Sequence, residues 1–316
     1  IVLGILAAQL VNWQIAEPVA IDATDLDILN SWNGQTGWRW MFWVEVIPAG
    51  LFFVLMYFVP ESPRWLSKSG NDEKVQTILA KIGGSDYAKS EFQNIRKTLT
   101  STAEKVNLKE LLSPKLRRVL IIGIVLATFQ QWCGINVIFN YAEEIFKAAG
   151  YGVSDILFNI VITGSVNLFF TFVAIYTVDK LGRRALMIIG ASGLAGIYAL
   201  MGAAFYFGIT GLPVLILVIL AIACYAMSLA PITWVVLSEI FPNRNRGAAM
   251  AVATVSLWLA SFLLTYTFPL LNSAFGASGT FWLYGIICLA GLVFIYKQLP
   301  ETKGKSLEEI EEEIVG

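Results

Sequence analysis

The sequence has no histidine, and only 14% of its residues are charged. Without imidazole, any proton coupling has to run through a carboxylate. The scarcity of charge, with 57% hydrophobic residues and a mean hydropathy of +0.67, excludes an ordinary soluble domain, which carries about 25% charged residues. Cysteine is sparse as well. Cys133, Cys224 and Cys288 all fall in apolar runs without zinc or redox spacing, so they are expected to fill the core and to form no disulfide. A membrane-embedded enzyme would want His, Cys or carboxylates clustered at membrane depth, and the acid placed furthest inside a segment, Glu45, lies near its end. The chain opens at Ile1 inside an apolar segment, with no initiator Met and no basic n-region, and so reads as a fragment rather than as a signal peptide or a natural start.

What is present is a series of apolar segments. At about 20 residues per span, eight are expected: 1 to 17, 39 to 60, 116 to 140, 155 to 178, 185 to 208, 212 to 239, 247 to 271 and 279 to 298. Their connections alternate in charge. All but Arg39 and Lys147 of the 22 Lys and Arg fall in or beside the loops after the second, fourth, sixth and eighth segments. The positive-inside rule therefore makes 61–115, 179–184, 240–247 and the C-terminal tail cytoplasmic. The opposite loops carry Asp22, Asp25, Asp27, Glu143 and Glu144.

Within 61–115, Val75, Ile78, Leu79 and Ile82, then Phe92, Ile95 and Leu99, recur at helical spacing and predict short amphipathic helices. Two segments precede this break and six follow it. That division implies residues 1–60 as the last two helices of one transporter half, 61–115 as linker, 116–298 as a complete six-helix half, and 299–316 as tail. Val59-Pro60-Glu61-Ser62 and Leu299-Pro300-Glu301-Thr302 repeat weakly at the two corresponding places. In the tail, Ser306 with Glu309 three residues on and a Leu307/Ile310/Ile314 stripe predict either a capped helix or a solvated acidic end.

The third segment contains Gln130, Gln131, Asn136 and Asn140 within twelve residues. An unsatisfied amide in hydrocarbon costs several kcal/mol, so such groups face a partner helix or a wet cavity. One isolated amide reads as interhelical glue. Four among aromatic residues favour a cavity for a neutral, hydroxyl-rich ligand such as a sugar. At about 100° per residue, Gln131 and Asn136 point about 140° apart on a straight helix, while Asn136 and Asn140 share a face. Either the cavity wraps the helix or the helix unwinds near Gly134, and unwinding is favoured. In the sixth segment Pro231 cannot donate to the Met227 carbonyl, which predicts a kink just before Trp234. Trp13, Trp38, Trp40 and Trp43 fit an interfacial aromatic belt.

Four signatures then appear in order: Pro60-Glu61-Ser62-Pro63-Arg64-Trp65-Leu66, Asp179-Lys180-Leu181-Gly182-Arg183-Arg184, Ser238-Glu239-Ile240-Phe241-Pro242 with Arg246, and Pro300-Glu301-Thr302-Lys303-Gly304. With Gln130-Gln131 and Gly134-Ile135-Asn136, they resemble the sugar porter family of the major facilitator superfamily, in particular bacterial xylose and hexose proton symporters and animal glucose facilitators. The resemblance covers essentially the whole chain. It implies an all-α membrane protein with part of the major facilitator fold, helices five to twelve of twelve, in the plasma (inner) membrane. It also implies sugar contacts at Gln9, Gln130, Gln131, Asn136, Asn167, Trp234 and Trp258, with Asn140 on the same face as Asn136.

Glu61, Arg64, Asp179, Arg183, Arg184, Glu239, Arg246 and Glu301 interleave both charge signs at the cytoplasmic helix ends. They are expected to form ion pairs between bundles that hold that side shut.

The implied function is transport of a neutral pentose or hexose by alternating access, without covalent chemistry, metal or cofactor other than a coupling proton. Symport is favoured over facilitated diffusion. The first helix, where symporters of this family carry a proton-linked aspartate, is expected to lie outside the fragment, which on its own is not expected to transport. A transporter-like sugar sensor and a facilitator of a polyol such as inositol are the alternatives. Partners are the sugar and the bilayer, with no nucleic acid and no obligatory oligomer. Asn140 replaces the first of a usual Tyr pair, Leu257 replaces a usual amide, and Leu229-Ala230 replaces a Gly-containing pair. These departures put the identity of the sugar in question.

Overall fold

The computed structural model describes residues 1–316 except 21–22, 102–110, 243–244, 306–308 and 310–316. The expected tail helix and Asp22 lie outside the described residues. The described chain is helical, with no strand among the described residues, and forms two compact units: 1–38 with 108–316, and 39–107.

In the larger unit, α1 (Val2–Ile15) leads to α2 (Asp25–Asn30), whose N-terminus is closed by a Thr24/Asp27 capping box. A single π-helical turn, Asn33–Gly37, follows, and α3 (Trp38–Trp43) starts at the last residue of this part of the unit and otherwise belongs to the smaller one. After the break come α7 (Pro114–Trp132), α8 (Ile135–Asn140), α9 (Ala142–Ala148), α10 (Val153–Leu181) and α11 (Arg183–Tyr206). The unit ends with α12 (Leu212–Ala226), α13 (Leu229–Ile240) and α14 (Arg246–Gln298). In the smaller unit, α4 (Val46–Met56) has no buried residue, while α5 (Pro63–Lys68) packs on α6 (Asp72–Ser101).

Six described stretches are apolar and long enough to cross a bilayer: Asn33–Met56, Leu116–Asn140, Ser154–Leu181, Arg183–Tyr206, Leu212–Ile240 and Arg246–Gln298. The last runs through a non-helical turn at Gly276 and so accounts for the seventh and eighth expected segments together. α1 is the remaining one. Its 14 residues extend about 21 Å, less than the hydrocarbon thickness of about 30 Å.

The core of the larger unit is a continuous apolar cluster contributed by α7 to α14. α14 lies along α11 and α7, and α1 rests on α10. Tyr198 and Tyr284 are among its largest fully buried side chains, and Cys133 and Cys288 sit inside it as buried thiols, with Cys224 half-buried. The expected amphipathic helices appear in the smaller unit. Leu66, Val75, Leu79, Ala88 and Ile95 form a separate core with Ile78 and Phe92 packed against it. Ile82 departs from the predicted stripe and is exposed, because α6 turns two residues later at Gly84, where φ is +86°.

Candidate sugar-binding cavity

The breaks within Leu116–Asn140 and Leu212–Ile240 both follow from local chemistry. Between α7 and α8, Gly134 takes φ +87°, a left-handed conformation that costs a side-chain-bearing residue roughly 1–2 kcal/mol. A Cβ there would also lie 2.7 Å from Cγ of Tyr284, so both backbone and packing call for glycine. Between α12 and α13, Ser228 leaves helical geometry at φ −132° and ψ −91°, three residues before Pro231, which has no N–H to continue the ladder. Both interruptions were expected from sequence, the second closer to Pro231.

A cavity of about 610 Å³ opens beside these breaks, within the roughly 300–1,000 Å³ usual for small-molecule sites. Gln9 of α1, Asn136 and Asn140 of α8, Asn167 of α10, Tyr225 of α12 and Trp234 of α13 contribute to its wall. No Asp, Glu, Lys or Arg side chain is among its lining residues. The vestibule beside Trp234 is therefore present, mostly apolar with amides set into its wall, and lined by no charged side chain.

The two glutamines do not line it as expected. Gln130 and Gln131 are only 4% and 6% exposed, and they satisfy each other. Asn136 Nδ2 donates to Gln131 Oε1, Gln131 Nε2 donates to Gln130 Oε1 at 2.6 Å, and Gln130 Nε2 donates to the Tyr225 hydroxyl at 2.7 Å. The unwinding at Gly134 explains how Asn136 reaches Gln131 from a position about 140° away on an ideal helix. The relay ends at the cavity on both sides. Asn136 and Tyr225 both line the cavity, and the Asn136 carbonyl oxygen and the Tyr225 hydroxyl proton are left over by the relay, since Asn136 donates to Gln131 and Tyr225 accepts from Gln130. One acceptor and one donor suit a hydroxyl, which does both.

The remaining expected contacts divide. Asn167 and Trp234 line the cavity; Trp234 is 38% exposed and follows Ala230 and Pro231 along the bent α13. Gln9 lines it too, with Oε1 buried and unpartnered where α1 lies on Gly164 of α10. Asn140 is partly occupied: it donates to Thr265 Oγ1 at 3.3 Å, and its neighbour Tyr141 donates to the Thr265 carbonyl at 2.9 Å. Trp258 is not among the lining residues and is 63% exposed on α14, because its neighbour Leu257 is the one turned into the core at 1% exposure. Tyr225, Phe139 and Thr171 were not singled out from sequence. A tyrosine hydroxyl inside Ala-Cys-Tyr-Ala was the one signal that could have found Tyr225.

The charged signatures form a cluster centred on Arg183. Its guanidinium meets Glu239 of α13 at 3.0 Å, with both side chains largely shielded at 15% and 20% exposure. Its second partner, Asp179, at 3.2 Å, is 78% exposed. Glu239 also accepts from Thr302 Oγ1 at 2.6 Å. Glu301 caps the start of α11, accepting from the backbone N–H of Arg183 at 2.9 Å and of Arg184 at 3.2 Å.

Two of the expected pairs take another form. The Arg184 side chain donates to the Tyr296 carbonyl at 2.7 Å, and Arg246 donates to the Phe241 carbonyl at 3.3 Å, so both hold helix-end carbonyls rather than carboxylates. Glu61 and Arg64 belong to the smaller unit and are exposed there. The ion pairs seen thus join helices of one unit rather than two bundles.

Comparison with known proteins gives a consistent answer. The family model described as "Sugar (and other) transporter" matches residues 1–314. The D-xylose-proton symporter of Escherichia coli (strain K12) is 43% identical over 288 residues, 89% of this chain and 58% of that protein. The arabinose-proton symporter of Bacillus subtilis (strain 168) is 41% identical over 281 residues, 89% of this chain and 60% of that one. Among solved structures, the inward-open xylose transporter XylE from E. coli superposes with a TM-score of 0.81 at 39% identity, over 99% of this chain and 63% of that chain. XylE bound to 6-bromo-6-deoxy-D-glucose superposes at 0.73 with the same identity, over 99% of this chain and 65% of that one. The chain therefore spans about 60% of the length of these relatives. It is a multi-pass membrane protein with part of the major facilitator fold. It belongs to the sugar transporter family.

Proposed function

We propose that the chain forms the larger part of a transporter that carries a neutral monosaccharide across the membrane by alternating access, in symport with protons. The uncharged cavity carries this reading: Asn136 and Tyr225 offer an acceptor and a donor, Gln9 and Asn167 add amides, and Trp234 supplies a ring for the sugar's C–H face. Proton coupling is supported by relatives named as arabinose-proton and D-xylose-proton symporters. In this reading residues 1–60 end one half of the transporter, 61–115 link the halves on the cytoplasmic side, 116–298 are the second half and 299–316 its tail. The Arg183–Glu239 pair, with Asp179 and Glu301, holds the cytoplasmic end of the second half together while that side is closed.

The test is equilibrium binding of D-xylose, L-arabinose and D-glucose to the purified chain, followed by tryptophan fluorescence, with the acid anion gluconate as the charged control. Saturable binding of at least one neutral sugar, weakened about tenfold or more by Asn136→Ala, is expected. Binding of gluconate as tight as that of the sugars would falsify the neutral-ligand assignment.

A further inference from the structure

We propose that a pocket at the helix ends remote from the sugar cavity binds a phosphate group, carried either by a membrane lipid or by a soluble phosphomonoester. The pocket, about 270 Å³, lies where the first turns of α7 and α11 meet the last turn of α14. That volume accommodates a phosphate with a few waters, each of which takes about 30 Å³. Arg118, Arg184 and Lys297 line it, and no Asp or Glu does.

Arg118 and Lys297 are exposed and Arg184 half-buried at one solvent-open pocket, where their summed field favours an anion. The structure supplies none from the described residues. Arg118 and Lys297 have no hydrogen-bond or ion-pair partner among them. The carboxylate next to Arg184 in space, Glu301, is already taken up by the backbone N–H groups of Arg183, Arg184, Thr302 and Lys303 at 2.9 to 3.2 Å.

Arg184 is held as a phosphate ligand would need it. One Nη donates to the Tyr296 carbonyl, and the guanidinium lies over the Tyr296 ring at 5.4 Å. Its Nε is shielded from solvent and one Nη is taken by Tyr296, so the atom left to meet a ligand is the other Nη. A guanidinium fixed on an aromatic face offers a phosphate one positioned charged donor, and the two flanking cations, Arg118 and Lys297, complete the match. The three helices that meet here are all long enough to span a bilayer, so the pocket stands at the depth of lipid headgroups. The proposal does not depend on the sugar assignment, because none of these residues lines the sugar cavity.

The experiment has two arms on the purified chain, with thermal unfolding as the readout. In bilayer nanodiscs, phosphatidic acid is compared with phosphatidylcholine. In detergent, inorganic phosphate at about 10 mM is compared with chloride at equal ionic strength. A rise in unfolding temperature of a few degrees is expected in at least one arm. It should be lost in Arg118→Gln/Lys297→Gln and kept in the charge-conserving Arg118→Lys/Lys297→Arg. A rise with phosphatidic acid alone assigns the site to a lipid headgroup, a rise with inorganic phosphate alone to a soluble ligand, and a rise in both to the phosphate group whatever its carrier. Should the neutral double variant fail to fold, Arg118→Gln alone is expected to raise the ligand concentration needed by about tenfold. No rise in either arm, or an equal rise in the neutral variant, overturns the proposal.

Discussion

Asn136 donates to the side-chain carbonyl of Gln131 across the break at Gly134. The bond exists only because the helix is interrupted: the same two residues on a continuous helix diverge by about 140°. Gly134→Ala is therefore expected to destabilise the protein by about 1–3 kcal/mol through its φ of +87° and the contact with Tyr284, and to weaken sugar binding by more than that stability loss explains. Thermal unfolding and sugar titration on the same preparation separate the two effects. Unchanged affinity would show that the break is not needed to present Asn136.

Gln130→Leu removes the middle of the relay and leaves the Tyr225 hydroxyl without its donor and Gln131 Nε2 without its acceptor. An unpaired buried group of this kind costs about 1–3 kcal/mol. Sugar affinity is expected to fall about tenfold although Gln130 itself is only 4% exposed. Tyr225→Phe is expected to fall similarly, and the double variant by little more than either single one. Additive losses in that cycle would mean the two residues act separately.

Gly164→Ala tests how α1 meets the cavity. A methyl at that position overlaps Gln9 Oε1, the movable end of a side chain, so Gln9 swings away and the fold survives. Binding is expected to weaken several-fold with an unfolding shift of only a few degrees. A shift large enough to prevent folding would place the close approach in the scaffold rather than in the site.

The partners of Arg183 should be unequal. Asp179 is 78% exposed, and exposed pairs contribute about 0–1 kcal/mol, so Asp179→Asn is expected to be nearly silent in thermal unfolding. Glu239 is shielded and also holds Thr302, so Glu239→Gln should lower the unfolding temperature clearly. Equal responses would contradict the shielding seen here.

At the start of α2, the hydroxyl and backbone N–H of Thr24 hold the Asp27 carboxyl below its usual 3.8. A depressed folded value means the capping contribution is complete above the ordinary carboxylate range and is lost as pH falls through the lowered one. Thr24→Ala is expected to move the Asp27 titration upward, observed by carboxyl NMR, and to remove that acid dependence of α2.

Much of this architecture is written locally. Apolar runs and alternating loop charge mark the spans, and Gly134 and Pro231 mark the interruptions, because backbone freedom and a missing N–H act at the residue that carries them. The pairing of Gln130 with Tyr225, 95 positions away, is tertiary and leaves no periodic trace. Trp258 shows the same limit: its type suggests a sugar-stacking ring, while the burial of Leu257 beside it decides which of two neighbours turns inward. Arg184 and Arg246 read as halves of salt bridges by charge alone, whereas their positions at helix ends gave them backbone carbonyls.

The hydrogen-bonded glutamines connect the two discontinuities. Asn136 stands just past one and Tyr225 just before the other. A guest that displaces either end of this thread of amides is expected to displace the other, so the inner ends of two separate rods should respond to its arrival together.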